Sequence, residues 1–362
     1  MSNHKIFSPL TIGDMHLKNR ILLAPLTRGR AGAERIPNSL MAEYYEQRAG
    51  AGLLITEATS ISEEGIGWID NPGIYSNAMV EGWRQATTKT QQQETPFVLQ
   101  MWHCGRASHS DFHHGNLPLS ASDVKLNGDE IHTPKGKKSY ETPKAMTSDD
   151  IQRTVDDYKQ AAINALEAGF SGVEIHAANG YLINQFLDSR SNQRTDNYGG
   201  SLDNRFRFLQ EVVEAVTSII PAKNVGVRLS PNGVFNDMGA EDFRETFLFV
   251  AERLNNYKIG YAHIMDGLAF GFHEKGEPMT LAEFREVYEG VIIGNCGYTL
   301  ETAKTAVEQG VADAIAFGRP FISNPDLVER FKHGYELAPF DDMAHWYTSG
   351  EEGYTDYSVY QS

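Results

Sequence analysis

The chain has 362 residues, of which 41% are hydrophobic and 22% are charged, a composition typical of a water-soluble globular protein. Its formal net charge is −16, with 32 basic and 48 acidic residues, and we therefore expect no nucleic acid or anionic membrane as a partner. The two cysteines are too few for a disulfide scaffold or for a metal site with four cysteine ligands.

Short apolar runs alternate along the chain with amphipathic helical patterns. Eight runs predict strands, at residues 21–24, 53–56, 97–101, 172–175, 225–229, 261–264, 291–293 and 314–317. Eight successive β-then-α units favour a closed (β/α)₈ barrel, the TIM barrel, over a doubly wound sheet. We therefore predict an α/β fold in which residues 1–362 form a single barrel domain.

Capping signals place several of the helices. Thr147 followed by Asp150 is typical of a capping box, and the helix that it starts is predicted to end at Gly169. A second apolar stripe predicts a helix that begins near Phe206 and ends before Pro221. Further along, Asn324 and Pro325 predict the N-cap and first residue of a late helix.

Three segments lie outside this repeating pattern. Residues 3–18 predict a hairpin that closes the barrel floor. Residues 104–146 form a polar insertion after the third strand, long enough for a capping subdomain or lid. The aromatic tail, residues 346–360, is expected to pack against the rest of the protein.

Catalytic groups of such barrels lie at the carboxyl ends of the strands. The fourth predicted strand ends at His176, and Asn179 and Tyr181 follow within five residues. Two side-chain N–H donors can polarise a carbonyl oxygen, and a nearby phenol can give a proton to carbon. This trio is suited to the reduction of an activated C=C bond by an external hydride.

The strand ends also exclude some chemistries. No lysine lies among them, which disfavours a Schiff-base aldolase. Four neighbouring polar residues in the insertion resemble a metal cluster, but we predict a surface loop and no metal site there: His109, Asp111, His113 and His114.

The last two predicted strands end in glycine-rich loops. Gly297 follows the seventh strand, and Gly318 with Arg319 follows the eighth. Barrels commonly bind phosphate there, because glycine lets backbone N–H groups approach and arginine adds charge. A phosphate-bearing cofactor in the barrel mouth is therefore predicted, while glycines needed only for tight turns remain the alternative.

Together these motifs resemble the old yellow enzyme family of FMN-dependent ene reductases. The resemblance spans nearly the whole chain and is carried by the segments Leu23–Thr27, Thr56–Ala58, Leu99–Gly105, His176–Tyr181, Asn192–Ser201, Val227–Ser230 and Phe317–Ile322.

The resemblance implies a role for each matching residue. His176 and Asn179 would bind the substrate carbonyl, and Tyr181 would be the proton donor. The flavin would contact Pro25, Leu26, Thr27, Ala58, Gln100 and Arg228, and its phosphate would contact Gly297, Gly318 and Arg319. The pocket above the flavin would be shaped by Trp68, Trp102, Phe235 and Tyr354.

The resemblance also implies a reaction and its participants. NADPH or NADH would reduce FMN, and an α,β-unsaturated carbonyl or nitro compound would then take hydride from flavin N5 in a ping-pong cycle. We expect a cytoplasmic protein, since the chain has no apolar leader and no 18-residue apolar run. We expect it to be a monomer or a homodimer. Two alternatives remain open: a flavin-free barrel lyase or isomerase, and a non-catalytic protein that binds a phosphate ligand.

Overall fold

A closed barrel of parallel strands forms the centre of the computed structural model, which describes residues 4–128, 130–340 and 343–360. The barrel strands are β1 (Ile21–Leu23), β2 (Leu53–Ile55), β3 (Phe97–Trp102), β4 (Gly172–His176), β5 (Val225–Leu229), β6 (Tyr261–Met265), β7 (Val291–Asn295) and β8 (Ala314–Phe317). Each strand pairs in parallel with the next, and β8 pairs with β1 to close the ring. The predicted (β/α)₈ barrel is confirmed.

Helices surround this barrel. They are α1 (Ser39–Gln47), α2 (Asn77–Gln92), α3 (Ser148–Glu167), α4 (Leu182–Leu187), α5 (Leu202–Thr217), α6 (Phe243–Leu254), α7 (Leu281–Val287), α8 (Leu300–Glu308), α9 (Arg319–Ser323) and α10 (Leu327–His333). The capping box of Thr147 and Asp150 is present at the start of α3. The prediction that Asn324 is the N-cap of the late helix was wrong. Asp326 is the N-cap residue of α10, and Asn324 instead ends the short helix α9.

Alternate strand residues face opposite sides of the barrel wall. Leu22 packs in the barrel interior, whereas Ile21 and Leu23 on the same strand pack against the surrounding helices. The N-terminal hairpin, Leu10–Ile12 paired with Met15–Leu17, adds apolar residues to the interior cluster. Since both faces of each strand are covered, the barrel strands read as apolar runs rather than as alternating patterns.

The insertion after β3 contains its own short strands. Ile131–Thr133 pairs antiparallel with Gly136–Lys138, and Leu119–Ser120 pairs in parallel with Lys144–Ala145. A further short strand, Thr59–Ser60, adds to the sheet beside β3. Of these additions, Ile131 and His132 line the site described next.

Candidate active site

Two adjoining cavities open at the carboxyl ends of the barrel strands. The inner cavity has a volume of about 390 Å³ and the outer chamber about 860 Å³, within the range of small-molecule sites. Their shared wall is formed by Trp68, Tyr181, Phe235 and Tyr347. Three of these four residues were predicted for the site from the sequence, and Tyr347 was not.

Loops that follow the first and the last barrel strands form part of the inner cavity. Pro25, Leu26 and Thr27 follow β1, while Gly318 and Arg319 follow β8, and all five line the cavity. These loops come together because β8 pairs with β1 and both strands end on the same side.

Gly297, after β7, completes the predicted phosphate region. It lines the cavity and has a φ of 84°, a conformation that glycine adopts without strain. The guanidinium of Arg319 lies over the ring of Phe270, 4.6 Å from its centroid. This part of the wall therefore combines a glycine backbone with one cation, as a phosphate group requires.

Arg228 lies near the end of β5 and is 5% exposed. Its Nη2 donates to Asn295 Oδ1 at 2.8 Å, while its buried Nε has no hydrogen-bond partner among the residues that the structure describes. An unpaired buried donor is costly in a native protein. The side chain lines the inner cavity, so an acceptor atom on a bound cofactor fits this position.

Gln100 is buried and lines neither cavity. Its Nε2 donates to Glu174 Oε1 at 2.7 Å, and His263 Nδ1 lies 2.9 Å from Glu174 Oε2. Although burial opposes ionisation, His263 and Arg228 hold the pKa of Glu174 below its ordinary value. Because a carboxylate only accepts hydrogen bonds, Glu174 fixes the amide orientation of Gln100.

His176, the last residue of β4, is 3% exposed. Burial, with the nearby charge of Arg228, holds its pKa well below 6.5, so the imidazole is neutral. Its Nδ1 accepts the backbone N–H of Ala178 at 3.3 Å. The ring hydrogen is therefore on Nε2, which makes this atom a donor.

Asn179 lines the inner cavity in a left-handed backbone conformation, with a φ of 57°. Asparagine tolerates this region better than most residues. Its N–H donates to Ser230 Oγ at 2.7 Å, and its carbonyl accepts Asn236 Nδ2 at 2.8 Å. Because these bonds use only backbone atoms of Asn179, the side-chain amide remains available to a ligand.

Tyr181 is the N-cap residue of α4 and is 7% exposed. Its ring packs edge-on against Trp102 and His176, with centroid distances of 4.9 and 5.0 Å. Burial raises the pKa of the phenol, so the phenol is neutral at physiological pH. Tyr181 can therefore donate a proton at the boundary between the two cavities.

Several predicted residues line neither cavity: Ala58, Gln100, Trp102, His176 and Tyr354. Trp102 and Ala58 pack in the buried cluster that contains Tyr181, and Trp102 supports that ring from behind. The role predicted for Tyr354 needs correction, because its buried ring stacks on Tyr44 at a centroid distance of 4.3 Å. Neither cavity is lined by Tyr354.

Several residues that line the two cavities were not predicted from the sequence. Trp346 and Tyr347, from the tail, line the inner cavity, together with Phe270 and Tyr298. The insertion contributes Leu126, Ile131, His132 and Tyr140 to the outer chamber. The aromatic composition of the tail was the available signal, but it does not specify which rings reach the site.

The part of the chain that the structure describes contains neither a cluster of metal-binding residues nor a membrane-spanning helix. Within residues 4–128, 130–340 and 343–360, no group of three or more histidine, cysteine or acidic residues could hold a metal ion. His109 instead contacts Asp111 and Glu141, and His113 contacts Ser108. None of the described helices is both long and apolar enough to span a membrane.

The barrel, its glycine-lined inner cavity and the polar groups at the end of β4 define an oxidoreductase of the flavin-dependent barrel class. A sequence model of the NADH:flavin oxidoreductase / NADH oxidase family matches residues 5–338. The chain belongs to this family, which includes the old yellow enzymes, and FMN is the family's cofactor.

Similar proteins match over almost their entire lengths. An old yellow enzyme homologue from Zymomonas mobilis superimposes with a TM-score of 0.95 at 43% identity, covering 98% of this chain and 99% of that chain. Morphinone reductase gives a TM-score of 0.93 at 37% identity, with coverage of 99% and 97%. A probable flavin mononucleotide-dependent alkene reductase of Leishmania infantum is 40% identical, with coverage of 97% and 96%.

Proposed function

We propose that this protein uses NADPH or NADH to reduce the activated C=C bond of α,β-unsaturated carbonyl or nitro compounds. The observation that carries the proposal is the position of Tyr181. Its neutral phenol lies in the wall shared by the inner cavity and the outer chamber, beside His176. Family membership supports a flavin oxidoreductase and disfavours the flavin-free lyase and the phosphate-binding protein.

The inner cavity suits FMN. Pro25, Leu26 and Thr27 would contact the ring system, and Arg228 would supply its unpaired Nε–H to the ring's electron-rich edge. Gln100, which does not line the cavity and is hydrogen-bonded to Glu174, would contact the flavin ring from behind the cavity wall. The phosphate would lie against Gly297, Gly318 and Arg319. Bound FMN would supply the hydride-transfer chemistry that the amino acids lack.

The substrate carbonyl would be held by His176 and Asn179. Neutral His176, beside Tyr181, would present its Nε2–H, and the side-chain amide of Asn179 would present a second donor. Donors fixed in advance stabilise the negative charge that develops on an oxygen during hydride addition. Because His176 stays neutral, it polarises the carbonyl without giving up a proton.

The proton for carbon would come from Tyr181. Its raised pKa prevents ionisation in the resting enzyme, and its buried ring is held between Trp102 and His176. A general acid must be both protonated and positioned, and Tyr181 meets both conditions. The outer chamber would accommodate the part of the substrate that extends beyond the reacting double bond.

The test combines colour with half-reaction kinetics. Purified protein should show flavin absorbance, and denaturation should release FMN. Anaerobic NADPH or NADH should bleach this absorbance, and 2-cyclohexenone or a nitroalkene should restore it. A protein that binds no FMN, even after incubation with the free cofactor, would refute the proposal. A panel of enones would then rank the substrates by the rate at which absorbance returns.

A further inference from the structure

The C-terminal tail, residues 343–360, forms part of the inner cavity. Trp346 and Tyr347 line it, and the ring of Tyr347 lies 5.3 Å from that of Trp68 by centroids. Apart from the short 3₁₀ turn Met343–His345, the tail has no regular secondary structure. Contacts with other parts of the chain must therefore fix its path.

Arg30 makes more hydrogen bonds to the tail than any other residue that the structure describes. Its guanidinium donates to the carbonyl oxygens of Trp346 at 2.6 Å, His345 at 3.1 Å and Glu352 at 3.1 Å. It also donates to Thr348 Oγ1 at 3.0 Å. The tail segment from His345 to Glu352 thus surrounds the guanidinium of Arg30, and hydrogen bonds from a charged donor are stronger than neutral ones.

Arg28 reinforces the same arrangement. Its Nε donates to the carbonyl oxygen of Trp346 at 3.0 Å, and its Nη2 donates to that of Gly353 at 2.5 Å. The guanidinium of Arg30 also lies over the ring of Tyr354, 4.6 Å from its centroid. Since Arg28 and Arg30 lie within three residues of Thr27, one loop forms part of the cavity wall and also holds the tail.

Burial makes the tail difficult to displace. Arg28 is 1% exposed and Arg30 is 5% exposed. The buried carboxyl group of Glu57 accepts the backbone N–H groups of Arg28 and Gly29, each at 3.0 Å, and so holds the backbone of the loop that carries both arginines. If the tail moved away, the hydrogen bonds from Arg28 and Arg30 to its carbonyl oxygens would be lost, and hydrogen bonds from charged groups contribute more to stability than neutral ones.

We propose that Arg30 is a positioning residue that holds the tail closed over the cofactor cavity. It acts through Trp346 and Tyr347, which it aligns as a wall for the cofactor and the substrate. Arg30 itself lines neither cavity. The effect on substrate binding rests on the proposed function, whereas the effect on tail closure does not.

The first test measures tail closure in the holoenzyme. Arg30→Met keeps an unbranched side chain of similar reach but removes the donors, and Arg30→Lys restores the charge. Arg330→Met is the matched control, because Arg330 is 6% exposed and holds the far end of the tail at Ser358, not the segment around Trp346 and Tyr347. Limited chymotrypsin digestion, followed by mass spectrometry, reports cleavage after Trp346 and Tyr347. We expect cleavage to be about tenfold faster in Arg30→Met, intermediate in Arg30→Lys and close to the parent rate in Arg330→Met.

The second test separates binding from chemistry. In Arg30→Met, KM for a bulky enone should rise about tenfold, while kcat stays within about twofold of the parent value. FMN should also leave the variant faster during dialysis. If the parent reduces no enone, the proposed function fails, but the digestion experiment still tests the tail.

Equal cleavage of Arg30→Met and Arg330→Met, with KM unchanged, would overturn the assignment. Should Arg30→Met fail to fold, Thr348→Val removes one acceptor of Arg30 with little change in volume. This variant should show a smaller increase in cleavage at the same two sites. Parent-like protection of Thr348→Val would count against Arg30 as the residue that positions the tail.

Discussion

The floor and the roof of the active site are built in different ways. The floor carries Thr27, His176 and Arg228, each at or close to the end of a barrel strand. The roof carries Tyr140 from the insertion and Tyr347 from the tail, far from any barrel strand. Strand pairing therefore fixes the floor, while individual side-chain contacts fix the roof. We expect floor substitutions to alter chemistry, binding of the reacting oxygen or cofactor retention, and roof substitutions to alter binding of the rest of the substrate.

The largest expected effect concerns Tyr181, at the boundary between floor and roof. Tyr181→Phe removes one hydroxyl and little volume, so the fold and FMN binding should persist. Enone reduction should slow by about 10²–10⁴-fold if the phenol is the general acid, whereas bleaching by NAD(P)H needs no phenolic proton. Stopped-flow absorbance times the two half-reactions separately. If both slow equally, or neither slows, Tyr181 is a packing residue.

The floor donors should give the next largest effect. Removing a hydrogen bond to a charged oxygen costs about 1.5–3 kcal/mol, so His176→Ala and Asn179→Ala should each weaken binding of a phenolate-forming ligand by about 10–150-fold. Charge-transfer absorbance of the flavin on phenol titration measures the dissociation constant. FMN content should remain as in the parent. Unchanged phenol affinity in the double variant would remove the proposed oxygen-binding role.

The phosphate end of the floor should affect cofactor retention rather than chemistry. Arg319→Ala removes the cation beside Gly318 and should weaken FMN binding by about 10–150-fold, through loss of a charge-assisted contact. Arg285→Ala is a suitable control, because Arg285 pairs with Asp313 at 2.6 Å and lines neither cavity. Fluorescence of released FMN after dilution measures the dissociation constant. Equal retention by the two variants would contradict this placement.

The same contrast explains what the sequence could predict. A strand run such as Gly172–Ile175 predicts where the strand ends, and barrel closure then brings His176 and Arg228 to one mouth. The tail lacks a comparable rule. Tyr354 and Tyr347 lie seven residues apart, and the sequence did not distinguish the buried ring from the ring that reaches the cavity. That distinction depends on Arg28 and Arg30, which bind tail carbonyl groups more than 300 positions away in the sequence.

The free energy of unfolding should depend on pH through His103, which follows β3 and directly precedes the insertion. Burial lowers the pKa of His103 to about 3, while the unfolded value is about 6.5. Below pH 6.5 the unfolded chain therefore binds a proton that the native protein does not. The free energy of unfolding should fall with decreasing pH, by up to about 1.4 kcal/mol per pH unit from this one group.

The variant His103→Gln isolates that contribution, because the other buried histidines titrate equally in both proteins. Urea unfolding midpoints measured from pH 7.5 to pH 4.5 should converge as the pH falls below 6.5. At pH 7 and above, the difference between the two proteins should be constant. Parallel curves over the whole range would mean that the pKa of His103 is the same in the native and unfolded states.

The smallest expected effect belongs to the roof, at Phe235. Its side chain lines both cavities yet is 46% exposed, so its truncation removes contact area without leaving a closed void. Phe235→Ala should raise KM for a bulky enone by about 3–10-fold, since exposed apolar surface contributes less than fully buried surface. KM for 2-cyclohexenone, which is small enough to lie beside Tyr181, should change less than twofold by the same reasoning. The ratio of the two KM values is thus the measurement, and kcat for both substrates serves as the internal control. A fall in kcat for the small substrate would place Phe235 with the floor, and the separation between the two regions would no longer hold at this residue.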